Sequence, residues 1–252
     1  MEIFNNTEFD LTNKRQVLKD NLDIIALISI LILNGIITLL GITIRSLFLD
    51  EFMSLDYATS NLDVVLFTRL DHDPHPPFYY LILHFWIKIF GISEFSLRFP
   101  SYLFGVGFLI LTFYWVRKNI NKKTAIMSTL LIAITPIIIR YQQEVRAYTL
   151  LPFLLLLFFI LLENWLINGF TKKNRVFIII TGTLLLYTHY FGLIGLAIIL
   201  FVFIFRVILF HKEIPKKLFF KKLTPIVILI ILFYLPWIPV LYNQSQNLTM
   251  AW

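Results

Sequence analysis

Leu154-Leu155-Leu156-Leu157-Phe158-Phe159-Ile160-Leu161-Leu162 places nine apolar residues in succession, with a polar residue at no helical phase. A helix facing water keeps one polar side, so a run that is apolar all round belongs in a large core or in lipid. Composition decides between the two. The chain is 58% hydrophobic and only 15% charged, with a mean hydropathy of +0.80, which leaves too little polar surface to cover a water-soluble core of this size. The expected fold class is therefore all-α, a polytopic integral membrane protein forming one domain over residues 1–252. Lys and Arg give a net charge of +7, but they fall in short clusters between apolar runs, where they orient helices. Nucleic acid is accordingly not expected as a partner. There is no Cys, which excludes disulfides and thiolate metal sites.

Measured against the roughly 20 residues needed to cross a bilayer, the apolar runs predict about seven spans, near 24–44, 99–116, 124–139, 148–167, 176–191, 192–210 and 224–242. Residues 1–23 are polar and are followed by no small-residue cleavage pattern, so the first run is expected to stay in the membrane with the N-terminus cytoplasmic. The basic clusters Lys14–Lys19, Arg117–Lys123, Lys172–Arg175 and Arg206–Lys222 then share one side, provided that 77–90 does not cross. Its ~14 residues reach only ~21 Å, short of a ~30 Å hydrocarbon core. Residues 45–98 thus read as one extracytoplasmic loop carrying an interfacial helix, with Lys88 snorkelling, and a second amphipathic stretch around Leu55 to Leu70. The Ile-, Lys-, Asn- and Phe-rich usage is compatible with an AT-rich prokaryote, where the outer side is that of the plasma membrane.

That outer side collects the polar residues able to do chemistry. Asp50 and Glu51 follow the first span, where a partly desolvated carboxylate can act as a general base, or can merely mark a helix end in water. Arg140 and Arg146, with Glu144 between them, suit a phosphate arriving through lipid. They run against the positive-inside pattern, which favours function over simple head-group contact. The string Asp71-His72-Asp73-Pro74-His75 could join Glu144 or His189 around a divalent cation, or form only a turn. Lys88 and Tyr148 are further donor-side candidates. Gln143 and Tyr190 are candidate sugar or acceptor contacts.

Four motifs occur in order: Asp50-Glu51, His75-Pro76-Pro77-Phe78-Tyr79-Tyr80, Ser96-Leu97-Arg98-Phe99-Pro100-Ser101 and Gln143-Glu144-Val145-Arg146-Ala147-Tyr148. Together they resemble the protein O-mannosyltransferase and aminoarabinose-transferase group of GT-C glycosyltransferases, over most of residues 40 to 195. The resemblance implies inverting transfer of a hexosyl or pentosyl group from a polyprenyl-phosphate donor to a protein, lipid or glycan acceptor on the extracytoplasmic face. In that scheme Asp50 is the base and Glu51 its alternate, Arg140 and Arg146 meet the lipid phosphate, and His75, Asp73, Glu144 and His189 form the candidate metal set. Members of the group usually have more spans, so this chain reads as a minimal or C-terminally truncated form. Two other readings use the same arginines: a transporter or scramblase of lipids or lipid-linked sugars, and a non-catalytic assembly partner. The first would want polar residues through the midplane, whereas 148–162 and 193–205 are almost purely apolar, with Asn34 and Thr183 isolated.

Overall fold

The computed structural model describes residues 21–68 and 75–247, and among them the chain is helical throughout, without strands. Helix α1 (Leu22–Gly41) is followed by the short α2 (Leu49–Thr59), a π-helical turn at Val64–Thr68 and α3 (Phe78–Phe90). Then come α4 (Glu94–Asn119), α5 (Lys122–Ala133), α6 (Pro136–Gln142), α7 (Leu150–Ile167), α8 (Lys172–Leu186) and α9 (Phe191–Phe210). The last are α10 (Lys216–Tyr234), a 3₁₀ turn at Leu235–Trp237 and α11 (Ile238–Asn247). The long α4 is the central element, packing on α1, α3, α5, α6 and α7.

Among the described residues, five helices are long and apolar enough to cross a membrane: α1, α4, α7, α9 and the rod Lys216–Gln244. The pair α5 and α6, bent by 64°, makes a sixth. The expected span over 176–191 is instead the 15-residue α8, about 22 Å at 1.5 Å per residue, because the chain leaves the helix at Tyr187. Seven rods nevertheless alternate between two polar ends. At one end Asp23 meets Arg117 and Lys122, and Arg206 meets Glu163 at 2.6 Å. At the other lie Glu51, Arg98, Glu144, Arg146 and His189. Large apolar side chains between the ends face outward, Phe201 at 69% exposure among them, as a lipid-facing surface requires.

Backbone groups freed inside the bundle find specific partners, as they must where water is absent. Pro100 has no N–H to give the Ser96 carbonyl one turn back; Trp86 Nε1 donates to it at 2.9 Å instead. At the α5–α6 break, Pro136 cannot continue the helix, and Asn34 Nδ2 donates to the Ala133 carbonyl at 2.9 Å. Asn34 is thus not isolated. It exchanges amide bonds with Gln142 at 3.0 and 3.1 Å, and Thr38 Oγ1 donates to the same Gln142 oxygen. Gly105 makes room for this cluster, since a Cβ there would stand 2.4 Å from Gln142 Nε2.

The turn from α8 into α9 is tighter still. A methyl group on Gly192 would lie 2.4 Å from the Leu185 carbonyl oxygen, a backbone atom that cannot swing aside. Gly192→Ala is expected to cost about 1–3 kcal/mol, as for other overpacked sites, read as a lower thermal midpoint in detergent. An unchanged midpoint would mean that the α8–α9 turn widens freely.

Candidate active site

Adjacent helical residues point about 100° apart, and α2 uses this to send its two acids in different directions. Glu51 turns inward and is fully buried. Its carboxylate accepts from Arg98 Nε at 2.8 Å and Nη2 at 2.7 Å, and from the backbone N–H of Val145 at 3.0 Å and Phe48 at 3.3 Å. Arg98 also donates to the carbonyls of Ile42 at 2.6 Å and Arg45 at 2.8 Å, satisfying the end of α1. Glu51 and Arg98 therefore join four segments: the α1 terminus, α2, α4 and the 143–146 turn. With four donors on it, Glu51 is not presented to a substrate, which removes the ground for treating it as an alternate base.

Asp50 points the other way. Its side chain is 47% exposed, and Oδ2 lies 3.4 Å from Nη2 of Arg146, itself only 5% exposed. Arg146 also donates to Tyr80 OH at 3.1 Å, and its carbonyl accepts from Ser101 Oγ at 3.0 Å. Ser101 is fixed in turn by Tyr79 OH at 2.7 Å, while its carbonyl accepts from Thr149. The Arg98–Ser101 motif on α4 thus anchors both acids, Glu51 directly through the Arg98 side chain and Asp50 indirectly through the Arg146 backbone. Tyr148 lies close by, its ring 6.4 Å from that of His189. Burial pushes its phenol above the ordinary range, with Arg146 pulling the other way, so it stays a hydrogen-bond donor at neutral pH.

His75 and His189 converge with Nε2 atoms 3.1 Å apart. The Phe191 N–H donates to His189 Nδ1 at 3.1 Å, so neutral His189 carries its proton on Nε2 and donates it to His75. A cation between the rings would need both Nε2 lone pairs, hence a turned His189 ring. Of the other metal candidates, Glu144 is taken by Arg140 Nε at 2.7 Å, and Asp73 lies outside the described residues. No group of three or more acidic or His residues that could hold an ion occurs among the described residues. Among the described residues the pair alone therefore offers no ready-made set of metal ligands.

The remaining candidates are dispersed. Arg140 is exposed and lines a separate cleft with Arg45, Gln143 and Glu144, a cleft Arg146 does not line. Gln143 Nε2 holds the Thr38 carbonyl of α1 at 2.8 Å, a structural bond rather than an open sugar contact. Lys88 is exposed over the Phe85 ring, eight residues and so about 12 Å along α3 from Tyr80. Tyr190 OH bonds Gln244 Oε1 and accepts from Trp237 Nε1 at 3.4 Å. Arg98, Ser101, Tyr80 and Trp237 support the site without having been candidates for it; the first three lie inside the quoted motifs, but nothing in the sequence pairs them with their partners. An apolar pocket of about 270 Å³ is walled by Leu66, Phe78, Leu81, Leu184, Tyr187 and Trp237, of which Phe78 and Tyr187 lie close to His75 and His189 in sequence.

The model of the dolichyl-phosphate-mannose-protein mannosyltransferase family matches residues 74–239, more than half of the chain. The chain belongs to this family. Among curated proteins, the "Putative mannosyltransferase YkcB" of Bacillus subtilis (strain 168) is 27% identical over 128 residues, covering 51% of this chain and 16% of that protein. The chain thus aligns with a small fraction of its relative's length. No solved structure matches. The protein is a multi-pass membrane member of a glycosyltransferase family, and its matched region starts at the His75 motif, leaving Asp50 and Glu51 outside it.

Proposed function

We propose that this protein transfers a sugar from a polyprenyl-phosphate donor to an acceptor hydroxyl, with inversion, at the Asp50–Arg146 site. The observation that carries this reading is a half-exposed carboxylate held by a buried guanidinium. One Asp50 oxygen is fixed by Arg146; the other has no partner among the described residues and is available to take a proton. As the acceptor oxygen bonds to the sugar's anomeric carbon, its proton passes to Asp50 and the bond from that carbon to the phosphate oxygen breaks. The departing lipid phosphate gains charge, which Arg146 offsets and Tyr148 can meet with a hydrogen bond. The apolar pocket walled by Phe78 and Tyr187 suits the prenyl units next to that phosphate.

The basic ends of α4, α5 and α8 lie opposite this site, so the positive-inside rule supports an extracytoplasmic active site and a cytoplasmic N-terminus. The test is transfer of radiolabelled mannose from polyprenyl-phosphate mannose by membranes containing the chain. Label appearing in acceptor material is the expected result. Folded wild type that turns over no polyprenyl-phosphate sugar would overturn the proposal. A chelator arm addresses the histidine pair: activity lost with EDTA and restored by a divalent cation would turn that pair into a metal site.

A further inference from the structure

Arg45 follows the end of α1, is exposed, and its side chain makes no hydrogen bond or ion pair among the described residues. It lines a cleft of about 200 Å³ together with Phe48, Arg98, Arg140, Gln143 and Glu144. Two of the three arginines are already matched. Arg98 is neutralised by Glu51 and Arg140 by Glu144, which leaves Arg45 as the uncompensated cation and the cleft suited to one negative charge. Glu144 engages only Nε of Arg140, so the two Nη groups can still donate to a ligand. The surroundings are as informative as the charge. Leu40 and Ile44 beside the cleft are 72% and 78% exposed, and Ile137, one turn before Arg140, is 46% exposed. A ligand here meets guanidinium groups at its head and lipid-facing hydrocarbon immediately alongside.

We infer that the Arg45–Arg140 cleft binds the phosphodiester head group of an anionic membrane phospholipid, as a site separate from Asp50 and Arg146. A phosphodiester carries a single negative charge and planar guanidinium groups bind its oxygens in pairs. Its acyl chains would lie along Leu40, Ile44 and Ile137. The lipid then bridges the end of α1 and α6, two elements that the bond from Gln143 to the Thr38 carbonyl also ties together.

The experiment is native mass spectrometry of the full chain released from micelles containing phosphatidylglycerol, phosphatidylcholine or inorganic phosphate alone. Wild type is expected to retain phosphatidylglycerol in preference to phosphatidylcholine. Arg45→Gln should weaken that retention roughly tenfold, the scale of one charge-assisted contact, and Arg45→Lys should keep most of it. The Arg45 side chain holds no other described residue by a hydrogen bond or ion pair, so these variants test binding rather than folding. The wild-type lipid comparison stands on its own if either fails to fold. Equal retention of both lipids, unchanged retention in Arg45→Gln, or binding of inorganic phosphate without phosphatidylglycerol would each overturn the inference. The readout involves no sugar transfer, and Asp50→Asn protein should bind phosphatidylglycerol as wild type does, so failure here and failure of the transferase reading are distinguishable.

Discussion

Asp50→Asn is expected to reduce sugar transfer by about 10²- to 10⁴-fold, the range for removal of a positioned general base. The substitution preserves shape and leaves an oxygen to face Arg146, but an amide does not accept the acceptor's proton. Donor binding should change little, because the Arg146 guanidinium and Tyr148 remain. The check is a pair of measurements on the same membranes: initial rate of label transfer, and retention of the polyprenyl-phosphate sugar by the purified variant. Loss of rate with retained donor assigns Asp50 to the chemical step. A variant that keeps more than a tenth of the wild-type rate would sink that assignment, and loss of both properties would move Asp50 into donor binding. Asp50→Glu, which keeps the carboxylate on a longer stem, should recover part of the rate.

Arg98→Ala is the substitution expected to do most damage to the fold. It strips a cation from Glu51, which has no exposure to solvent, and at the same time frees carbonyls at the end of α1. Breaking a buried ion pair from one side costs about 3–5 kcal/mol, because an uncompensated charge stays inside. Thermal unfolding in detergent, followed by size exclusion, should show little folded Arg98→Ala protein. The double variant Glu51→Gln with Arg98→Gln should be milder than Arg98→Ala, since no charge is left buried. An Arg98→Ala midpoint within error of wild type would show that the pair is not what holds α1, α2 and α4 together.

The helices were legible in the sequence wherever one long apolar run makes one helix, as in α1, α7 and α9. Length failed for 176–191, because Tyr187 to Tyr190 read as membrane-compatible while their backbone serves other elements: the Tyr187 carbonyl accepts from the Phe78 N–H at 2.9 Å. The short run at 77–90 forms a 13-residue helix, and the stretch expected around Leu55 to Leu70 divides into α2 and a separate π-helical turn. The acidic pair at 50 and 51 was visible too, but not which acid is exposed. That depends on helical phase and on Arg98, 47 residues away. Arg140 and Arg146 looked like one phosphate clamp from their spacing, yet α6 ends at Gln142 and the chain turns between them, sending one outward and one inward. The rings of His75 and His189 touch across 114 residues, whereas Glu144 is committed to Arg140. Polar side chains with distant partners are the part that one-dimensional spacing does not encode.

The amide exchange between Asn34 and Gln142 spans 108 residues, and that interval is also a delay. At synthesis rates of about 5–20 residues per second, Gln142 leaves the ribosome roughly 5–20 s after Asn34. Throughout that time the first helix carries an unanswered carboxamide halfway along its length, at a depth where polar groups are costly. The newborn chain therefore holds a membrane-embedded mark of incompleteness, erased only when the sixth helix bends into place.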